Sequence, residues 1–261
     1  MDTNPLVSVV IPTFNRYDFL KETVSSILAQ TYANLELIIV SDNSSDQTSS
    51  IIDHFNDERC HFYNLTEKSS GPAAVRNYGL SKCKGNLIAF CDDDDLWMPD
   101  KLHKQVAIMT ANPTVALVAT NVRYFSEEKS TLLYTAGLKG FLNRLSFIPR
   151  KYLMAFYNCI VISSAMVRKE YLPAKAFNED KAYQGHEDVD LWLKLCSVHK
   201  AIIIPEYLTT YRVHPSQIST VTNKEYKRQA LQILNNHFTH FNMLEKSIAG
   251  IRLLIYKMFG Y

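Results

Sequence analysis

Leu87-Ile88-Ala89-Phe90-Cys91-Asp92-Asp93-Asp94-Asp95-Leu96-Trp97 drives an apolar run straight into a block of negative charge. Four consecutive apolar residues suit a strand buried on both faces. The same pattern recurs upstream. Residues 6–11 (Leu-Val-Ser-Val-Val-Ile) and 35–40 read as buried strands, and 60–65 as a third. Helical patterns separate them. Asp18 can cap a helix with Leu20, Val24, Ile27 and Leu28 on one face. Ile51, Ile52 and Phe55 mark a second helix, and 73–83 a third. Pro99 suits the first turn of a helix that stops near Asn112-Pro113. This β-α-β-α-β-α-β order predicts a parallel sheet with helices on both faces. Ligands in such sheets bind beyond the carboxyl ends of the strands. Segments 12–16, 41–46 and 91–95 are therefore expected to share one crevice.

Working outward, the 261 residues are 47% hydrophobic and 21% charged, with only 8 Gly and 9 Pro, which excludes a disordered or collagen-like chain. Lys plus Arg number 28 against 26 Asp plus Glu, a net charge of +2, so no nucleic-acid partner is expected. Cys60, Cys83, Cys91, Cys159 and Cys196 form no C-x-x-C pair and read as reduced thiols of a cytosolic protein. The first five residues carry no basic signal-peptide region. No uncharged apolar run reaches the roughly 18 residues of a membrane span.

The second half is less regular. Residues 115–124 and 159–167 read as strands, 188–196 as a helix, 201–204 and 207–213 as short strands, and everything from 224 as helical. Residues 132–157 mix basic and aromatic side chains and fit no element. A catalytic domain over 1–223 with a helical extension over 224–261 is expected.

Four adjacent aspartates raise one another's pKa and repel unless a cation neutralises them. A hard divalent cation with phosphate co-ligands does this naturally; a solvated acidic turn leading into the helix near Pro99 is the other reading.

With these residues in view, the chain resembles a family-2 glycosyltransferase of the GT-A fold. Val9-Val10-Ile11-Pro12-Thr13-Phe14-Asn15-Arg16 resembles that family's first strand and nucleotide loop. Ile39-Val40-Ser41-Asp42-Asn43-Ser44-Ser45-Asp46 resembles its base-recognition turn, and Gly71-Pro72-Ala73-Ala74-Val75-Arg76-Asn77 its Gly-x-x-x-x-Arg-Asn helix. Phe90 to Trp97 matches the strand ending in the Asp-x-Asp metal motif. His186-Glu187-Asp188-Val189-Asp190-Leu191-Trp192-Leu193 resembles the segment holding the catalytic base, and Tyr211-Arg212-Val213-His214 the late histidine motif. The six segments occur in the family's order between about residues 6 and 220.

The resemblance implies a GT-A α/β fold, mostly parallel and Rossmann-like, and an inverting, nucleotide-sugar-dependent activity with Mn²⁺ or Mg²⁺. Pro12, Thr13, Asn15, Asp42, Arg76, Asp92 and Asp93 would contact the nucleotide part of the donor, most simply a UDP-sugar. Asp94 and His214 would hold the metal. Asp188 would be the general base, with Glu187 as the alternative acid. The run holds two Asp-x-Asp frames, Asp92/Asp94 and Asp93/Asp95; alignment on Phe90 and Trp97 selects the first. Ser41 stands where the family usually has Asp, which leaves Asp42 for the base of the nucleotide. Each role has a structural counterpart: Asp42 as a turn residue, Arg76 as a surface charge, Asp188 as a helix cap, His214 as a loop histidine, Trp97 and Trp192 as core.

The acceptor implied is a saccharide or lipid-linked saccharide, in bacterial surface polysaccharide synthesis. Two rival activities fit the residues less well. A haloacid-dehalogenase-like phosphatase also has aspartates after a strand, but earlier in the chain and followed by Thr or Val rather than Leu96. A sugar-nucleotide pyrophosphorylase needs a Gly-rich first loop, and residues 12–16 hold no glycine. In the tail, Lys224, Lys227, Arg228, Lys246, Arg252 and Lys257 outnumber Glu225 and Glu245. Leu231, Leu234, Phe238, Phe241, Leu244, Ile248, Ile251, Ile255 and Met258 follow helical spacing. The stripe packs on the catalytic domain, pairs two subunits, or lays residues 248–261 on the inner face of the membrane.

Overall fold

The computed structural model describes residues 4–126, 131–135, 158, 160–215, 217, 224–238, 243, 246–248 and 250. β1 (Val7–Thr13) lies between β2 (Leu35–Ser41) and β4 (Leu87–Phe90), parallel to both. β3 (Cys60–Asn64) extends the parallel block beyond β2. β2 and β4 are buried throughout: β4 is an unbroken apolar run, and the one charge inside β2, Glu36, accepts from the Ser8 hydroxyl at 2.5 Å and from the Lys84 amide at 2.7 Å. Side chains alternate between the two faces. Val10, Ile38, Val40, Ile88 and Phe90 point into one core, and Val9, Ile11, Leu37, Ile39 and Ala89 into the other.

The first core is covered by α3 (Pro72–Lys82) and by α5 (Glu187–Val198), whose Trp192 ring sits 6.2 Å from that of Phe90. α3 approaches the sheet closely: a Cβ on Gly79 would come within 2.7 Å of Val10 Cγ1. The second core is covered by α1 (Tyr17–Leu28) and α4 (Lys101–Ala111), with Leu20, Val24, Ile27, Leu102, Val106 and Met109 buried. A short α2 (Ile51–Phe55) follows β2.

Beyond β4 the sheet changes character. β8 (Met166–Arg168) runs antiparallel between β4 and β6 (Val115–Ser126), and β6 pairs in parallel with β9 (Lys200–Val213). β5 (Leu96–Trp97) closes the path antiparallel to β9, and β7 (Thr131–Thr135) pairs with β6 off the path. The sheet is therefore mixed, with its parallel half as the sequence predicts.

Four local expectations need correction. Asp18 lies inside the first turn of α1, and Arg16 holds the cap position with its side chain making no capping bond to the helix. Pro99 precedes α4 rather than opening it; its carbonyl accepts from the Thr31 amide at 2.8 Å, and the helix starts at Lys101. In place of one strand over 159–167, Ile162–Ser164 forms a 3-10 turn before β8. The Ser164 hydroxyl bonds the Val161 carbonyl at 2.6 Å, a local alternative to a ladder bond. Cys159 itself lies outside the described residues.

The two short strands at 201–204 and 207–213 are one strand with a bulge. Thr120 pairs with Ile204 and Asn121 with Tyr207, and Asn121 Nδ2 bridges the skipped residues by donating to the Pro205 carbonyl at 2.9 Å. At the chain's end α6 (Lys224–Phe238) buries Ile233 and Leu234 in the first core, and Ile248 packs against it. Residues 136–157 and 251–261 lie outside the described residues, so most of the unassigned 132–157 stretch and of the 248–261 stripe does too. Among the described residues no helix is long and apolar enough to cross a membrane.

Candidate active site

β2, β1 and β4 are adjacent and parallel, so their carboxyl ends emerge on one edge. The β1 and β2 loops are laced together there. Asn15 adopts a left-handed φ of 52°, and its Oδ1 accepts from the Ser45 amide at 2.7 Å. The Asn15 amide donates to Ser44 Oγ at 3.0 Å, and the Asp42 amide donates to the Thr13 carbonyl at 2.9 Å. Asp42 is buried and its Oδ1 accepts from the Ser69 amide at 2.6 Å, so it anchors the loop before α3 rather than its own turn. Pro12 is half-buried and Thr13 buried at the end of β1. Phe14 stays exposed, with Lys68 Nζ 4.3 Å from its ring centre.

The four aspartates diverge in their partners. Asp92 Oδ1 accepts from Arg76 Nη2 at 2.6 Å, and its amide donates to Ser163 Oγ at 3.0 Å. Arg16 Nη1 lies 3.1 Å from Asp93 Oδ1 and 2.8 Å from Asp94 Oδ2. Asp94 Oδ2 also lies 3.0 Å from His214 Nε2. Asp95 is fully buried and accepts from the Arg212 amide at 3.1 Å. The pairing of β5 with β9 makes these last contacts, since it sets the aspartates beside residues 212–214. The Thr23 hydroxyl of α1 fixes the run's backbone, 2.9 Å from the carbonyls of both Asp93 and Asp95. Arg212 Nε bonds the Asp94 carbonyl at 2.9 Å, and its Nη2 pairs with Glu22 at 2.6 Å. Phe19 stacks on both Arg212 and His214, 4.8 Å from each.

Burial and neighbouring carboxylates raise the pKa values of Asp93, Asp94 and Asp95. Asp93 is pushed up to about 7 by burial and the Asp94 charge, with Arg16 opposing. Asp94 is raised by burial and Asp92, against His214 and Arg16. Asp95 is raised well above the carboxylate range by burial and by Asp94 and Asp92. One carboxylate oxygen each from Asp92, Asp94 and Asp95 can be chosen so that all lie within 4.8 Å of one another. An all-oxygen set under repulsion fits a hard divalent cation.

The third part of the site comes from α3 and α5. Arg76 is buried, not a surface charge, and spans the crevice from Asp92 to Glu187 Oε1 at 2.7 Å. Burial opposes its charge, but Asp92 and Glu187 more than offset this and raise its pKa. Glu187 Oε2 accepts from the Gly185 amide at 2.6 Å, so both its oxygens are engaged. Asp188 lies inside the first turn of α5 and is not its cap, which is His186. It is half-buried and, among the described residues, accepts from a neighbouring amide, that of Val189, at 2.7 Å. Burial and the Glu187 charge push its pKa up to about 7, with Arg76 opposing. Trp97 and Trp192 are buried and act as core; Trp97 Nε1 bonds the Ser163 carbonyl at 2.8 Å.

Sequence reasoning gave no role to Arg16, Arg212, Ser163 or Asp95. Arg16 and Arg212 lie within the motif segments 9–16 and 211–214, and Asp95 in the second Asp-x-Asp frame; Ser163 carries no sequence signal.

The profile described as "Glycosyl transferase family 2" matches residues 8–172. The chain belongs to glycosyltransferase family 2. Among its relatives, the Escherichia coli UDP-Glc:alpha-D-GlcNAc-diphosphoundecaprenol beta-1,3-glucosyltransferase WfgD is 30% identical over 227 residues, 86% of this chain and 83% of that one. The chain spans 70%, 66%, 58% and 83% of the length of four curated relatives it matches. Two solved structures share the GT-A fold. S. aureus TarS 1–349, solved with UDP-GlcNAc, superposes with a TM-score of 0.74 at 16% identity, over 97% of this chain and 73% of that one. The mannosyltransferase PcManGT from Pyrobaculum calidifontis, solved with GDP-Man and Mn²⁺, gives 0.68 at 20% identity, over 99% and 76%. This glycosyltransferase family membership leaves the phosphatase and pyrophosphorylase readings without support.

Proposed function

We propose that this family-2 glycosyltransferase transfers a sugar with inversion from a UDP-sugar to a hydroxyl of a saccharide or lipid-linked saccharide, in bacterial surface polysaccharide synthesis. The observation that carries the reading is Arg76, which joins the aspartate run to the Glu187–Asp188 turn across one crevice. The names of WfgD and the UDP-GlcNAc complex of TarS support the donor and acceptor classes.

The β1 and β2 loops, through Pro12, Thr13, Asn15 and Asp42, would hold the nucleoside. Asp94 and His214, with Asp92, would hold Mn²⁺ or Mg²⁺. A bound divalent ion supplies Lewis-acid stabilisation of the departing diphosphate. Asp188 takes the proton of the acceptor hydroxyl as that oxygen bonds to the anomeric carbon and the bond to the diphosphate breaks. The Glu187 carboxylate, held by Arg76 and Gly185, keeps Asp188 basic through its charge. A single displacement inverts the anomeric centre, so an α-linked donor yields a β-linkage. A donor screen reading nucleoside diphosphate release is expected to single out a UDP-sugar, with release accelerated by a saccharide acceptor. Phosphate release from simple esters without sugar transfer would contradict the reading.

For the extension over 224–261, packing on the catalytic core accounts for α6 and Ile248. The stretch beyond is proposed to lie on an anionic membrane beside the acceptor, each basic residue there contributing about 1 kcal/mol. The full chain should co-sediment with anionic vesicles more than a chain ending at Ala249. Equal, negligible binding would leave packing or homodimer formation as the role of the tail.

A further inference from the structure

Asp190 stands two residues after Asp188 in the first turn of α5, and its carboxylate is almost fully buried. Oδ2 is 2.6 Å from Lys194 Nζ, one turn along the same helix. Oδ1 is 2.7 Å from His237 Nε2, in the last turn of α6. A carboxylate only accepts, so Nε2 carries the donated proton. Burial works against the Asp190 charge, but the bonds from His237 and Lys194 outweigh it and hold the pKa below the usual carboxylate value.

The preceding residue of α6 grips the other side of the same turn. Asn236 Nδ2 donates to the Tyr183 hydroxyl at 2.8 Å. The Tyr183 carbonyl accepts from the His186 amide at 2.8 Å, directly before Glu187 and Asp188. One turn earlier on α6, Ile233 and Leu234 are buried against the core that Trp192 and Leu193 share. Two adjacent residues of α6 therefore bracket residues 183–190, the segment that carries Glu187 and Asp188.

We propose that His237 is a positioning residue for glycosyl transfer: with Asn236 it fixes the Glu187–Asp188 turn, which makes α6 part of the catalytic unit. The catalytic consequence rests on the reading of Asp188 as the base; the bracket itself does not. Amide hydrogen exchange and steady-state kinetics on the full chain test it, comparing wild type, His237→Ala and His237→Gln. In His237→Ala, exchange within residues 183–190 should accelerate about tenfold or more while peptides from β1 to β4 stay unchanged. Its kcat should fall about tenfold with donor KM within about twofold, and Gln, which keeps an N–H donor, should restore most of both.

Unchanged local exchange, unchanged kcat, or acceleration spread through the whole sheet overturns the proposal. If His237→Ala does not fold, Asn236→Ala, at an exposed position, is judged by the same readouts. Should the wild-type chain turn over no donor, the reading of function fails, and the exchange data still decide whether α6 holds the turn.

Discussion

Asp188→Asn is expected to cut kcat by about 10²-fold or more and to leave UDP binding within about twofold. Asn fills the same volume at the start of α5 but cannot take a proton. The geometry favours Asp188 over its neighbour because Glu187 is tied at both oxygens, to Arg76 and to the Gly185 amide. Asp188 accepts a neighbouring amide and is pushed up to about 7 by burial and the Glu187 charge. A base must be ionised to act, and the ionised fraction grows with pH. The kcat/KM of the wild type should therefore rise with pH and level off above about 7. Glu187→Gln removes one of the charges that raises the Asp188 pKa, so its limb should move to lower pH. A larger loss of kcat in Glu187→Gln than in Asp188→Asn would transfer the role of base to Glu187.

How far the molecule was legible in its sequence depends on the range of the interactions. β1, β2 and β4 announce themselves because burial on both faces demands nearly continuous apolar runs, interrupted inside β1 by Ser8 and inside β2 by Glu36, which bond each other. The carboxylates at the strand ends were legible for the same reason: charge directly after such a run must face the crevice. β5 was not, since two residues carry no periodicity, and it exists by pairing with Thr209 and Thr210. The bulge in β9 hid one strand as two because Pro205 reads as a break. Among the partners of the aspartates, the resemblance pointed to His214 beside Asp94, whereas Arg16 and Arg212 were illegible. His214 meets Asp94 across 120 positions of sequence, and Arg212 meets Asp95 across 117. Nothing local marks an arginine in a loop as the counter-charge of a distant carboxylate. The bracket of Asn236 and His237 on α5 is a contact of the same long-range kind.

Excess chelator is expected to abolish donor turnover, and Mn²⁺ or Mg²⁺ to restore it. Asp94→Ala should lower metal-dependent turnover by at least about 10²-fold and remove the gain in UDP affinity that the metal gives. The cause lies in the balance of charge around the run. Asp93, Asp94 and Asp95 are all raised by burial and by neighbouring carboxylates of the run, and Arg16 pairs with Asp93 and Asp94. The side chain of Arg212 bonds the Asp94 carbonyl and pairs with Glu22. A donor diphosphate would bring further negative charge beside this set, which a divalent ion shared between Asp94 and the diphosphate offsets. Calorimetric titration of UDP with and without Mn²⁺ separates this from a loss of fold: Asp94→Ala should bind UDP equally weakly under both conditions and keep its unfolding midpoint. Full turnover of the wild type in excess chelator would mean that Arg16 alone balances the diphosphate, and would make Arg16, not Asp94, the residue whose loss stops the reaction.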